Sequence, residues 1–272
     1  MRKENSDLLT TRGILKPERA PVLFDLKQLI PTAHFAAQVE FYWSVTWDII
    51  PDQTFEQKVL SHPNLHVVIE PERAYIAGIP SACYTRALKG SGRAHSIKLL
   101  PGMATTLLPG AAKDYTDKER PLADIFDAHE VQELQQRILN STSEEQRREY
   151  FERFLTTHMT SPRDAHHRAQ RYVELIQNTP EIIHVEALAK QVHESVRTLQ
   201  RLFTAHVGVS PKWVIKRYRL HEAAEQLETN PDKSVAEIAQ ELGYFDQAHF
   251  SNEFKSFTGE SPSHYQSRTS ET

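Results

Sequence analysis

Apolar side chains recur at two different spacings along the chain, and the change between them divides it. Phe41, Trp43, Val45, Trp47 and Ile49 alternate with Tyr42, Ser44, Thr46 and Asp48, the period of a strand with one buried face. Leu65, Val67 and Ile69 alternate in the same way with His66, Val68 and Glu70 over residues 64–70. Shorter candidate strands follow at 73–77, 85–89 and 94–99, punctuated by Gly78, Pro80, Gly90, Gly92 and Pro101-Gly102. Several short strands set apart by turns predict a small antiparallel sheet or barrel. From Asp127 the spacing lengthens: Val131, Leu134 and Ile138 mark a helix over 127–140, and Tyr150, Phe151, Phe154 and Leu155 a second over 143–159, opened by a Ser143/Gln146 capping box.

Between Val185 and Tyr265 one pattern is written twice. The first copy reads Leu188-Ala189, Ser195, Leu199, Phe203, Gly208, Ser210-Pro211; the second reads Ile238-Ala239, Asp246, Phe250, Phe254, Gly259, Ser261-Pro262. The copies are offset by about 50 residues. Each predicts two short helices joined by a tight turn, with Ser195 or Asp246 capping the second helix and a small alanine allowing a close crossing. That is a helix-turn-helix, a unit that offers its second helix to a DNA major groove. Ser210-Pro211 opens a third helix that meets no breaker until Asn230-Pro231, a rod of roughly 28 Å that can hold two reading helices about one DNA turn apart.

Residues 163–268 resemble the DNA-binding domain of the AraC family (AraC/XylS) of bacterial transcription regulators. The resemblance is carried by Gly243-Tyr244-Phe245-Asp246-Gln247-Ala248-His249-Phe250-Ser251-Asn252-Glu253-Phe254-Lys255 and Thr258-Gly259-Glu260-Ser261-Pro262. It implies sequence-specific binding of double-stranded DNA, with RNA polymerase, a small-molecule effector and a second copy of the chain as further candidate partners. Solvent-facing positions at the start of each reading helix are then the expected base contacts: Arg197, Gln200 and Arg201 in the first unit, and Gln247, Ala248, His249 and Asn252 in the second. Arginine can bond guanine and glutamine adenine in bidentate fashion, while Ala248 can meet only a thymine methyl. Ser210 and Ser261 are candidates for phosphate contact or for capping alone. His193 stands where members of the family often have glycine, and His184 where a serine or threonine cap is common, so the first unit is expected to be the less stable of the two. Phe41-Tyr42-Trp43, His62-Pro63, Glu70-Pro71, Gly90-Ser91-Gly92-Arg93 and the run from Lys98 to Gly102 resemble a poorly characterised domain often found ahead of AraC-type DNA-binding domains, similar in layout to the cupin-like sensing barrels of that family.

The chain has 272 residues, 39% hydrophobic and 25% charged, with a formal net charge of −4. Basic and acidic side chains nearly balance over 163–272, so non-specific DNA affinity is expected to be weak. Arg197, Arg201, Lys212, Lys216, Arg217, Arg219 and Lys255 fall on or beside the reading helices and supply the expected positive surface. A lone Cys83 excludes an internal disulfide and any cysteine-based zinc finger. The polar start of the chain leads into no signal-like segment and no run of 18 apolar residues occurs, so a cytoplasmic protein with no membrane role is expected.

Phe41, Trp43 and Trp47 on one strand face read either as ordinary core or as the aromatic wall of a ligand pocket, with core the simpler reading. His62, His66 and Glu70 share one face of the strand at 64–70, opposite Leu65, Val67 and Ile69, but positions four apart on a strand lie about 13 Å from each other, too far to chelate one ion; no metal or other cofactor is expected. Gly90-Ser91-Gly92-Arg93 lacks the lysine and helix of a phosphate loop and reads as a hairpin turn. No nucleophile-base signature marks an enzyme. The expected architecture is α+β in two domains: a β-rich, cupin-like sensing or dimerisation domain over 1–160, closed by two helices, and an all-α tandem helix-turn-helix domain over 163–272. A cupin-like enzyme, or an interaction adaptor with a vestigial DNA-binding domain, is the alternative.

Overall fold

The computed structural model describes residues 24–50, 54–59 and 61–270; the polar start of the chain lies outside them. Eight strands are present among these residues: β1 (Phe24–Leu29), β2 (Val39–Asp48), β3 (Phe55–Val59), β4 (His66–Ile69), β5 (Ala74–Ala77), β6 (Tyr84–Leu88), β7 (Ser91–Leu99) and β8 (Glu119–Pro121). Six form one antiparallel sheet in the order β1-β2-β7-β4-β5-β8, and β3 and β6 pair as a separate ribbon. Gly90 therefore does not close a hairpin. It leads from the ribbon into the large sheet, with its carbonyl accepting from Ile49 N at 2.9 Å.

The alternation in β2 separates two faces, but the one that enters the core, at Tyr42 and Ser44, is not the one carrying Phe41, Trp43 and Trp47, and it runs out to exposed Thr46 and Asp48. A register shift between Val39 and Phe41 brings Val39 and Tyr42 into the same core, where they are 1% and 4% exposed. That face is covered by α1 (Ala128–Asn140) and α2 (Glu144–His158). Tyr42 stacks on Phe151 with ring centroids 5.7 Å apart, and the Ser44 hydroxyl donates to Glu144 at 2.6 Å. Phe41, Trp43, Val45 and Trp47 are half-buried on the opposite face, where Trp43, Val45 and Trp47 pack against a small cluster of Val68, Tyr75 and Ala94, so the expected core role holds for one side of these rings only. Ser143 caps its helix as the sequence implied, although the Gln146 side chain reaches back to Thr142 N and not to Ser143, and Asp127, expected inside the preceding helix, is its cap.

The helical part runs through α3 (Asp164–Asn178), α4 (Val185–Gln191), α5 (Val196–Leu202), α6 (Pro211–Thr229), α7 (Val235–Glu241), α8 (Gln247–Thr258) and α9 (Pro262–Ser270), with a π-helical turn at Phe203–Val207. Ser210 caps α6 by accepting from Trp213 N at 3.2 Å, and the helix is unbroken for 19 residues to Asn230. Its length follows from its boundaries: a serine cap with proline in the first turn, and Asn230-Pro231 at the far end.

Two hydrophobic cores meet inside this helix. One runs from Phe35 through the sheet, α1 to α5 and on to Val214 and Ile215; the other gathers Leu220, Leu227, Ile238, Phe250, Phe254 and Tyr265. The first helix-turn-helix unit is thus packed into the same core as the sheet, and the second has a core of its own. The join is reinforced by polar contacts. Thr160 N donates to Thr106 O at 2.8 Å, Thr116 Oγ1 donates to Gly208 O at 2.7 Å, and Thr105 Oγ1 lies 3.1 Å from His206 Nδ1. Gly208 has φ +99°, and a Cβ there would sit 3.0 Å from Ala112 O, so glycine serves both the left-handed backbone and the close approach.

Candidate nucleic-acid interface and the adjoining cavity

In the first unit Leu188 and Leu199 are fully buried and Ala189 nearly so, which turns Arg197, Gln200 and Arg201 outward. Ser195 caps α5 by accepting from Thr198 N at 3.1 Å. His193 holds the turn with φ +55°, the left-handed backbone that glycine would adopt freely. Glu194 anchors this turn to α3 by an ion pair with Arg168. His184 gives no side-chain cap to α4, whereas Ser234 and Glu237 form a complete capping box on α7.

The second unit repeats the arrangement with Ile238 and Phe250 fully buried and Ala239 at 2%. Asp246 accepts from His249 N at 2.7 Å and starts α8, leaving Gln247, Ala248, His249 and Asn252 exposed. His249 is the least free of the four, since its Nε2 lies 3.4 Å from Glu253 and its ring meets Tyr244. Glu253 also takes Lys216 Nζ at 2.8 Å and the Tyr244 hydroxyl at 3.1 Å. Burial alone would raise this carboxyl, but the bonds from Lys216 and Tyr244 reverse that and hold it below the ordinary range. Phe245, in the turn just before Asp246, is 97% exposed. It falls outside the apolar period of either helix, and only its place between Gly243 and the cap could have singled it out.

The expected positive surface shrinks. Arg217 is 3% exposed, with its guanidinium 4.3 Å from the ring centroids of both Trp213 and Phe257 and directed at the carbonyls of Pro80 and Ser81. Burial pushes it down to about 10. Arg219 donates to Leu242 O at 2.6 Å, capping the end of α7, and Lys216 is engaged by Glu253. These three are structural, and Arg197, Arg201, Lys212 and Lys255 remain exposed beside the reading helices. Ser210 and Ser261 both cap helices, accepting from Trp213 N and His264 N.

A cavity of about 890 Å³ opens on the aromatic face of β2. Phe41, Trp43 and Trp47 line it together, the ribbon contributes Tyr84 and Arg86, and the helical part contributes Val173 from α3 and Tyr218 from α6. Tyr218 was not singled out by the sequence, and His66 was weighed there only as a metal ligand, because nothing local to either announces a shared wall. His62, His66 and Glu70 go separate ways: His62 stacks on His221 at 4.3 Å, His66 accepts from Trp43 Nε1 at 3.3 Å, and Glu70 takes Arg86, Arg73 and the Tyr75 hydroxyl. No group of three metal-ligating side chains is found among the described residues, nor any helix long and apolar enough to cross a membrane.

Two family profiles match separate parts of the chain: a helix-turn-helix domain over residues 188–268, and a domain of unknown function (DUF6597) over residues 27–121. Residues 188–268 are a helix-turn-helix domain of the AraC type, preceded by a β-rich domain and its helices. An uncharacterized HTH-type transcriptional regulator of Haemophilus influenzae is 35% identical over 98 residues, 36% of this chain and 33% of that protein. The transcriptional activator RhaS of Salmonella arizonae is 41% identical over 70 residues, 26% of this chain and 25% of the relative. Among solved structures, the C-terminal domain of AraT, a response regulator from Geobacillus stearothermophilus, is 29% identical and aligns with 36% of this chain and 82% of that one, at a TM-score of 0.34. The chain matches about a third or less of the length of these two curated relatives.

Proposed function

We propose that the chain is a sequence-specific transcription regulator that inserts α5 and α8 into successive major grooves and is controlled through its β-rich part. The observation that carries this reading is the pair of capped, outward-facing reading helices at the two ends of one 19-residue helix. Residues 1–160 act as the sensing or dimerising unit and residues 163–272 as the DNA-binding unit. Arg197, Gln200 and Arg201 read one block of bases and Gln247, Ala248, His249 and Asn252 the other, with Phe245 placed to meet a thymine methyl. RNA polymerase and a second copy of the chain are partners of the kind such a regulator uses, and the cytoplasm is where it works. What favours this reading over an enzyme or an adaptor is that both reading helices keep their polar faces exposed, at Arg197, Gln200 and Asn252.

The test is selection of binding sites from random duplexes with the full-length protein. Recovery of two short blocks of fixed sequence supports the reading. Recovery of no enriched sequence, with binding that falls as fast on random DNA, refutes it.

A further inference from the structure

The cavity wall neutralises its own charges. Arg86 is held by Glu70 at 2.5 Å and Lys98 by Glu40 at 3.1 Å, so these two inner cations already have carboxylates, while Asp117, Lys118, Glu119 and Glu174 lie exposed at the rim. His66 lines the space uncharged, since burial and then the neighbouring Lys98 push it down to about 3. Its Nδ1 accepts from Trp43 Nε1, which leaves the proton on Nε2 as a donor. A charged ligand entering here would lose its hydration without gaining an unmatched counter-charge. The rings of Phe41, Trp43, Trp47, Tyr75 and Tyr84 line the rest of the cavity together with Val45, Val68 and Val173.

We propose that the cavity binds an uncharged, flat aromatic compound carrying a hydrogen-bond acceptor for His66, stacked on Trp43 and in contact with Tyr218 of the spacer helix. The site is shared between the sheet and α6, so occupancy ties the sensing part directly to the helix that sets the spacing of the reading helices; this consequence rests on the regulator reading, whereas the binding does not. By linkage, whatever the ligand does to DNA affinity, DNA does equally to the ligand.

The probes are naphthamide, naphthoate and naphthylmethylammonium, of one ring system and three charges, titrated calorimetrically into the full chain. Naphthamide is expected to bind at least about tenfold more tightly than either ion, and Trp43→Ala to weaken it by about tenfold or more. Tyr84→Ala, at an exposed rim position, gives the same reading should Trp43→Ala fail to fold. No binding of naphthamide, equal or tighter binding of either ion, or an affinity untouched by the folded variants overturns the proposal. The protein's selected DNA is titrated separately without probe. DNA binding with no naphthamide binding removes the ligand class alone, and naphthamide binding with no DNA binding removes the regulator and leaves the site.

Discussion

The spacer helix makes a geometric demand on DNA. At 1.5 Å per residue its 19 residues extend roughly 28 Å, and each end is fixed to a different unit. Val214 and Ile215 lie in the first core, while Leu220 and Leu227 lie in the second. Lys216 to Glu253, Arg219 to Leu242 O, and Tyr265 to Glu228 then latch the second unit onto the rod. The two blocks of a binding site should therefore lie about 10 base pairs apart. Inserting about 5 base pairs turns the second block to the far side of the duplex, where α8 cannot reach it. Gln247 and Asn252, reading bases at about 1 to 3 kcal/mol each, then stop contributing, at a cost of about 2 to 6 kcal/mol in total. Bending the DNA to bring the block back costs about 1 to 6 kcal/mol, so little is regained. Affinity of the full chain should fall by about thirtyfold or more, measured by fluorescence anisotropy on the two duplexes at one salt concentration. An affinity unchanged within about twofold would show that the rod bends or that one unit alone reads DNA. Alanine at Arg201 and at Asn252 would then identify the unit still in use.

Three further outcomes are expected. Arg197→Ala and Arg201→Ala should each cost about 1 to 3 kcal/mol on the selected site and much less on random DNA; equal losses on both would reassign them to phosphate. His193→Gly should raise stability by about 1 kcal/mol in urea denaturation, because a left-handed non-glycine residue costs more than the extra chain entropy of glycine; an unchanged midpoint would mean the turn carries no strain. His95 is 2% exposed and is pushed down to about 4 by burial and then by Arg147 and Arg93. An unfolded histidine titrates near 6.5, so in that interval the unfolded chain binds the extra proton. The stability is therefore present above about pH 6.5 and is lost as pH falls towards about 4, by about 3 kcal/mol. The slope of unfolding free energy against pH should flatten in His95→Gln, and an identical slope would reject the assignment.

What could be read in advance was what neighbours in sequence decide. Ser210-Pro211 and Asn230-Pro231 bound the spacer by capping and chain-breaking, and Ser195, Ser234 and Asp246 mark helix starts in the same way. The alternation in β2 announced two unlike faces but not which of them is covered. The cover comes from Glu144, Phe151 and their helix about 100 positions later, as the Ser44 to Glu144 bond shows. Arg217 failed for the same reason: a run of Lys216, Arg217 and Arg219 looks like a DNA-facing surface, and only the loop at Pro80 and Ser81 turns one of its members into a buried brace. Three aromatic residues on one strand face left core and pocket wall both open, and the cavity's far wall, Val173 and Tyr218, depends on how the two parts meet.

That meeting also limits how such a chain can be rearranged by recombination. Gene fusion readily exchanges sensing modules when they are tethered by a loose linker, since neither side then notices the replacement. Here Thr105, Ala112 and Thr116 sit directly on the π-helical turn and Gly208, and the first reading unit completes its core with residues of the sheet-bearing part. A foreign module spliced in at residue 160 would leave that surface uncovered and the first unit incomplete. The second unit has a core of its own and meets the sheet-bearing part through Arg217, whose guanidinium joins the Phe257 ring to the carbonyls of Pro80 and Ser81. The sheet and the first unit therefore have to be inherited as one piece, and a second unit traded for another would still have to leave Arg217 and Tyr218 of the spacer helix matched to the sheet.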